Sequence, residues 1–480
     1  MFAKTRGGHP AVPFFHLVRY RSRHHSHIDF SAREARPVRH MELHMANRFE
    51  RLSLRGWRQF ADIDIEFHPR LTIITGPNGT GKSTILSILN RHFGYTRRYY
   101  STPSSRSARS RAKNFVLGLF RVITNRDTTD SQKSAEGRQH PIGEVVYSDG
   151  SKAEISVNAS QKISYDIQLQ NQKSCPGVHI DSHRPPNIYG GISNIPMAVN
   201  SIADLTGPFE GEFRSYYSSG KLNQGSLFHM KNALIAMSVH GHGNPNMDAK
   251  PEFLDAFNRF VSRLKILLPK SIGFNDLQIR GAEVILRTQT GDFIIDASSG
   301  GVIKLFEIAW QLFFFAEQNT DGFVVTIDEP ENHLHPSLQR TFLSDLLEAF
   351  PEAQFVVVTH SPFIVSSTRN SECYVLRSEA LSARSLEEGD DEEAALNTLR
   401  IVSSRLDLVN KAGTATEILR EVLGVPTTIP DWAEDRVNGI IREMRGSAIS
   451  RNSLDDLYQR LEREGLISEY PRAIKELSSK

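Results

Sequence analysis

Residues 76–84 read GPNGTGKST and satisfy the pattern G-x-x-x-x-G-K-[ST] in full. Glycines at Gly76, Gly79 and Gly81 let the backbone curl so that its N–H groups converge on phosphate oxygens. The run Leu71 to Thr75 before them is continuous and strand-like, and Lys82 to His92 after them reads as a helix. That helix would aim its positive end at the same spot. The candidate nucleotide contacts are therefore Gly76, Pro77, Asn78, Gly79, Thr80, Gly81, Lys82, Ser83 and Thr84. Lys82 has the reach for the β and γ phosphates, and the Ser83 hydroxyl suits Mg²⁺. This motif alone says that the phosphates of a nucleotide are bound. It does not choose a reaction.

A second segment supplies the choice. Residues 323–336 read FVVTIDEPENHLHP, an apolar strand that ends in two acids. Asp328 would sit beside the cradle and hold Mg²⁺, usually through water. Glu329 then has a separate task, to polarise the water that attacks the γ-phosphate. A carboxylate free for that task favours hydrolysis over simple binding. Further on, VVVTHSP places His360 just past another strand, where it could hydrogen-bond the γ-phosphate and register its loss. Residues 297–301, ASSGG, open a helix with small residues, a second anion-friendly helix start.

These groups need a scaffold. Alternation over Arg48 to Leu54 and Ile63 to Phe67 predicts two strands ahead of Leu71 to Thr75. Residues 144–170 alternate again around an Asp149-Gly150 turn, which predicts antiparallel strands. Residues 176–196, rich in Pro, Gly and Asn, read as loop. Helices are expected at 225–239, 251–267, 301–317 and 337–349, and strands near 283–296, at 323–327 and at 355–359. Residues 97–113 are Ser/Arg-rich and read as a loop. In that loop Tyr99 and Tyr100 beside arginines could stack on bases, or the loop could be a solvated insertion. Trp57 or Phe60 could lie against a base or belong to the core.

Composition narrows the classes. Charged residues are 23% and the net charge is +2, so the overall balance points to no particular partner. The first 45 residues are different, with eight Lys/Arg, seven His and three acids. They read as a basic leader, a start codon set too early (with Met41 or Met45 as the true start) or a transit peptide. No apolar run is long enough to span a membrane. The only cysteines, Cys175 and Cys373, form no metal-ligand pattern, which suits a reducing cytoplasm. The expected domains are the leader 1–44, a head 45–376 with an insert at about 97–270, a linker 377–410 with the acidic run Glu387 to Glu393, and a helical region 411–480.

Taken together and in this order, the phosphate cradle, DEPENHLHP, THSP and ASSGG resemble the ABC-type ATPase head of SMC, RecF and OLD-type proteins. The likeness spans roughly residues 47–370. It implies an α/β P-loop NTPase fold: a mixed central sheet with flanking helices, an antiparallel β lobe, a helical insert and a helical C-terminal region. It implies ATP as substrate with Mg²⁺, catalysis through Glu329 and His360, and heads that close as a homodimer around two ATP molecules. By the same likeness Ser298 and Gly300 would contact the γ-phosphate held by the second head. The family usually has Glu or Gln where Gly301 stands, and its Gln loop has no counterpart picked out by spacing. Asp328 lies 246 positions after Lys82 without heptads, so a compact insert replaces the SMC arm. No metal-binding TOPRIM pattern follows residue 370. The remaining likeness is to ATPase subunits of Septu and retron anti-phage systems, including His183 to Pro186 (HRPP). It implies a separate HNH-type nuclease as partner and DNA as a possible ligand. The alternatives are a slow-hydrolysing sensor or scaffold, and a transporter ATP-binding subunit, which would show a clear LSGGQ and a shorter gap between motifs.

Overall fold

All five residues of Leu71–Thr75 are buried, so this segment needs cover on both faces. It lies inside a large sheet. The computed structural model describes residues 46–100, 139–158, 164–186, 188–219, 221–332, 334–380, 399–407, 413–425, 429–444 and 450–478. The basic leader, residues 101–113 and the run Glu387 to Glu393 lie outside the described residues.

In chain order the strands are β1 (Phe49–Trp57), β2 (Phe60–Glu66), β3 (Leu71–Thr75), β4 (Tyr99–Tyr100), β5 (Gln139–Tyr147) and β6 (Lys152–Asn158). Next come β7 (Ser164–Tyr165), β8 (Ile167–Gln170), β9 (Gly177–Ile180), β10 (Phe274–Arg280), β11 (Glu283–Thr288) and β12 (Gly291–Ile294). The last are β13 (Phe323–Asp328), β14 (Ala353–Val358), β15 (Glu372–Ala380) and β16 (Leu399–Arg405). Eleven strands form one sheet in the order β8-β6-β5-β1-β2-β16-β15-β3-β14-β13-β9. From β15 to β9 each neighbouring pair is parallel. From β8 to β2 each pair is antiparallel. The fold is thus α/β, a mixed sheet with an antiparallel lobe.

The helices are α1 (Lys82–Leu89), α2 (Ile202–Ser219), α3 (Ser226–His242), α4 (Pro251–Leu267) and α5 (Gly300–Gln318), followed by α6 (Pro336–Gln339), α7 (Phe342–Ala349) and α8 (Pro362–Val365). Side chains alternate across a strand, so the central strands feed two cores. Ile74, Val324, Val356 and Val358 pack with α1 and the antiparallel lobe. Ile73, Val325, Ile327, Phe355 and Val357 pack on the other face with α2 to α5 and α7. Phe260 of α4 sits edge-on to Phe306 and Trp310 of α5, which fixes one helix against the other. The C-terminal helices α9 (Asp431–Met444), α10 (Arg451–Arg463) and α11 (Tyr470–Ser478) have a small core of their own around Val437, Leu457 and Leu461.

The structure departs from the sequence reading in three places. Residues 176–196 were expected to be loop, yet β9 runs there, parallel to β13 from Val324↔Gly177 to Ile327↔Ile180. Its four residues have no local signature; the hydrogen bonds of the neighbouring strand define it. Helix α2 went unforeseen because Gly207, Pro208 and Gly211 lower its propensity, while Phe209 and Phe213, four apart, bury one face. The segment from 377, expected as linker, carries the end of β15 and all of β16, which lie between β3 and β2 in the sheet.

Candidate functional site

The parallel strands β3, β13 and β14 all end at one edge, and the predicted residues emerge there. After β3 the loop turns through Gly76 at φ +139° and Gly81 at φ +92°. At Gly76 a Cβ would collide with the carbonyl oxygen of Leu376. At Gly81 it would meet the Phe60 ring. Phe60 and Trp57 are fully buried, so neither ring is open to a base, and the Phe60 ring lies beneath Gly81. Pro77, Asn78 and Gly79 form the exposed tip. The Thr80 hydroxyl donates to Pro77 O at 2.9 Å, and Thr84 N–H donates to Gly81 O at 3.0 Å, starting α1. Lys82 folds over the loop and donates to Gly76 O at 3.0 Å and Pro77 O at 2.9 Å. Burial pulls its ammonium down to about 8, against the opposing pull of Asp328, Glu329 and Glu331. The cation sits in a dry cradle with no full counter-charge, a place suited to anionic phosphates.

Asp328 ends β13. Burial raises its carboxyl above the usual range, while a hydrogen bond from Ser83 opposes the shift. Its Oδ1 is buried and has no hydrogen-bond partner. A buried, unpartnered carboxylate oxygen beside a serine hydroxyl is a hard-oxygen donor set that fits Mg²⁺. Glu329 follows at φ +48°, a left-handed conformation that a non-glycine residue rarely adopts. Its N–H donates to Val358 O at 2.9 Å, its Oε2 accepts from Asn332 at 3.1 Å, and its Oε1 is 3.8 Å from His360 Nε2. Burial, reinforced by the charge of Lys82 and opposed by that of Glu329, lowers the His360 imidazole below its usual range.

The sequence reading gave no task to Glu331, and the structure gives it one. Its Oε1 accepts from His360 N–H at 2.6 Å and its Oε2 from the Thr359 hydroxyl at 2.8 Å. Glu331 therefore pins the turn that carries His360. The third acid of DEPE was the available signal, but spacing alone does not show which backbone an acid will hold. Residues His179 and Asp181 were also missed, being hidden in the presumed loop. His179 Nδ1 lies 2.9 Å from the Thr326 hydroxyl, which donates to Asn90 Oδ1 at 2.6 Å. Asp181 follows β9 as Asp328 ends β13, and both line one cleft of about 1110 Å³ with Ser83, Tyr95 and Tyr217.

Ser298 and Gly300 stand apart. Among the described residues no hydrogen bond or ion pair joins them to the phosphate loop. The Ser298 hydroxyl is buried without a partner, and a Cβ at Gly300 would meet nothing within 4 Å. Asp296, just ahead of them, is held by the buried Lys231 at 2.9 Å. Tyr99, for which the alternatives were stacking on bases or a place in a solvated insertion, is in the core: its hydroxyl is 2.6 Å from Ser87 Oγ and its ring stacks on Tyr165. Tyr100 is exposed.

A family model described as "AAA domain, putative AbiEii toxin, Type IV TA system" matches residues 71–366, well over half of the chain. The chain belongs to this P-loop AAA family. A second model, the P-loop containing region of AAA domain, matches residues 49–90. The AAA chain is 23% identical over 392 residues to the Septu protein PtuA of Bacillus thuringiensis, spanning 78% of this chain and 84% of that protein. Over 53 residues it is 36% identical to the Retron Vc95 probable ATPase of Vibrio cholerae serotype O1 biovar El Tor, 11% of this chain and 10% of that protein. Among solved structures, the SMC head domain from Thermotoga maritima aligns with a TM-score of 0.35 at 14% identity, over 75% of this chain and 99% of that one. No described helix of the AAA chain is long and apolar enough to cross a membrane.

Proposed function

We propose that this chain binds ATP at residues 76–84 and hydrolyses it with Mg²⁺, in heads that pair around the nucleotide. The cycle gates a DNA-processing or anti-phage defence complex in the cytoplasm that uses a separate nuclease. The observation that carries the ATPase reading is the orphaned Asp328 Oδ1 beside Ser83, with Glu329 next in the chain. The coverage of the Septu relative supports a defence setting.

In this reading the loop amides and Lys82 hold the phosphates, whose negative charge offsets the cost of keeping the ammonium buried. Ser83 and Asp328 hold Mg²⁺, which when bound neutralises charge on the phosphate oxygens. Glu329 accepts a hydrogen bond from the attacking water and orients it. His360 donates a ring N–H to the γ-phosphate and is kept in place by Glu331. The N-terminal turn of α5, with Ser298 just ahead of it, is offered to the phosphate of the second head, and pairing would have to uncover the Ser298 hydroxyl, which is buried in the single chain.

Turnover by wild type and Glu329→Gln, with and without double-stranded DNA, tests this, with light scattering to follow size. Glu329→Gln should retain ATP, lose turnover and accumulate as a dimer. DNA-responsive turnover would support the gating role. Turnover indifferent to DNA would move the trigger to a protein or small molecule. ATP bound with no wild-type turnover would make the chain a sensor or scaffold.

A further inference from the structure

Glu307 lies two turns into α5 and is fully buried. A buried acid must be satisfied from several sides, and this one is. The Ser226 hydroxyl, at the start of α3, donates to its Oε1. Lys304 Nζ approaches Oε2 at 3.2 Å, and Arg184 Nη1 lies 3.5 Å from the same oxygen. Arg184 is itself 5% exposed, lies over the Phe213 ring and donates to Gln311 Oε1 at 3.2 Å. Gln311 in turn donates to the backbone oxygen of His179 on β9, also at 3.2 Å. Lys304, Glu307 and Gln311 fall on one face of α5 at helical spacing.

The two ends of this network matter. One end is the segment that leaves β9 through Asp181, which lines the cleft with Asp328 and Glu329. A small second cavity has Asp328, Glu329 and Asn332 on its walls together with Arg184 and Lys304. The other end is α5, whose first residue is Gly300 and which is preceded by Ser298. Arg184 donates one hydrogen bond, from Nη2 to Gln311, while its buried Nη1 makes no hydrogen bond and is ion-paired with Glu307 one turn away, so one planar guanidinium ties two points of α5 to the strand end.

We infer that Arg184, gripping Glu307 and Gln311, is a positioning residue that locks α5 to the strand end beside the catalytic carboxylates, so that the site binding one ATP sets the pose of the surface offered to the second head. This rests on the proposed pairing of heads. The latch acts on closure and turnover, and leaves phosphate binding by the chain's own loop untouched.

The test uses the full chain with Arg184→Lys, which keeps the charge and loses the fork, and with Glu307→Gln. A fluorescent ATP analogue measures binding, and light scattering in the Glu329→Gln background measures ATP-driven association. The expected result for Arg184→Lys is an analogue Kd within about twofold of the parent, association at least about tenfold weaker, and kcat about tenfold lower with KM little changed. The control is Phe260→Leu, which loosens α4 against α5 without touching the ionic network. Equal loss of association in that control would overturn the latch, since any loosening of α5 would then suffice. Undiminished association and turnover in both Arg184→Lys and Glu307→Gln would overturn it too, as would a Kd that weakens in step with kcat. If the Glu329→Gln parent never associates with ATP, both the pairing of heads and the latch fail. If the parent associates and Arg184→Lys does so equally, only the latch fails.

Discussion

The end of the parallel strands and the start of α5 are built on opposite principles. At the strand ends nearly every polar group is held from within: Lys82 by two carbonyls, Glu329 by Asn332, His360 by Glu331. At the start of α5 the Ser298 hydroxyl has no partner, and Gly300 faces open space. A side chain added at Gly76 has nowhere to go, whereas one added at Gly300 meets nothing of its own chain. The difference teaches that the backbone of the phosphate loop is fixed by close packing against its own chain, with Asp328 Oδ1 left unpartnered beside it, whereas the backbone at the start of α5 has no such packing around Gly300.

The contrast is open to attack, beginning with the largest effect. Glu329→Gln should cut turnover by about 10² to 10⁴, with ATP affinity retained. Gly300→Arg should cut turnover by about 10 to 100 through lost closure, with an unchanged melting temperature; a large loss of stability would show that α5 starts against its own chain after all. Gly76→Ala should destabilise by roughly 2 to 4 kcal/mol in thermal or urea unfolding, since it adds a backbone collision to a left-handed strain. Gly300→Ala, the matched change in the open region, should stay within about 0.5 kcal/mol. Equal costs at Gly76 and Gly300 would erase the distinction.

The smallest effect concerns protons. The folded chain without nucleotide holds Lys82 near 8, against 10.5 for the ordinary group. Below pH 8 the ammonium is charged in both folded and unfolded chains, and the folded state carries the full cost of the dry charge. Between about pH 8 and 10.5 the folded chain has released a proton that the unfolded chain still holds, so stability rises with pH. Lys82→Met removes the effect. The mutant should therefore be the more stable at pH 7, and its advantage should shrink as pH climbs to 10. An advantage that does not change with pH would mean that Lys82 is better solvated than its contacts indicate.

How much of this was legible beforehand follows from where each constraint lies. The cradle could be read because residues 76–84 are contiguous and each has a local task. The strand ending in Asp328 and Glu329 could be read for the same reason. Helices α3, α4 and α5 carry their pattern in their own residues. By contrast β9 exists because β13 lies beside it, and Glu331 matters because Thr359 and His360, nearly 30 positions on, return to it. Arg184 finds Glu307 only after the sheet and helices are assembled. Trp57, Phe60 and Tyr99 look the same in sequence whether they meet a base or fill a core, and only their burial decides. Ser298 and Gly300 were picked out by residue type and by resemblance, and within this chain the Ser298 hydroxyl has no partner.

The left-handed backbone at Glu329 has a consequence for evolution. A non-glycine residue there costs of order 1 to 3 kcal/mol. Gly, or to a lesser degree Asn, would relax the turn, so Glu329→Gly should melt higher than wild type while hydrolysing nothing. A population drifting under selection for thermal robustness alone would be drawn to that substitution early. Persistence of the acid through such drift would mark lineages in which hydrolysis is still under selection, and its loss those in which only the shape of the head is.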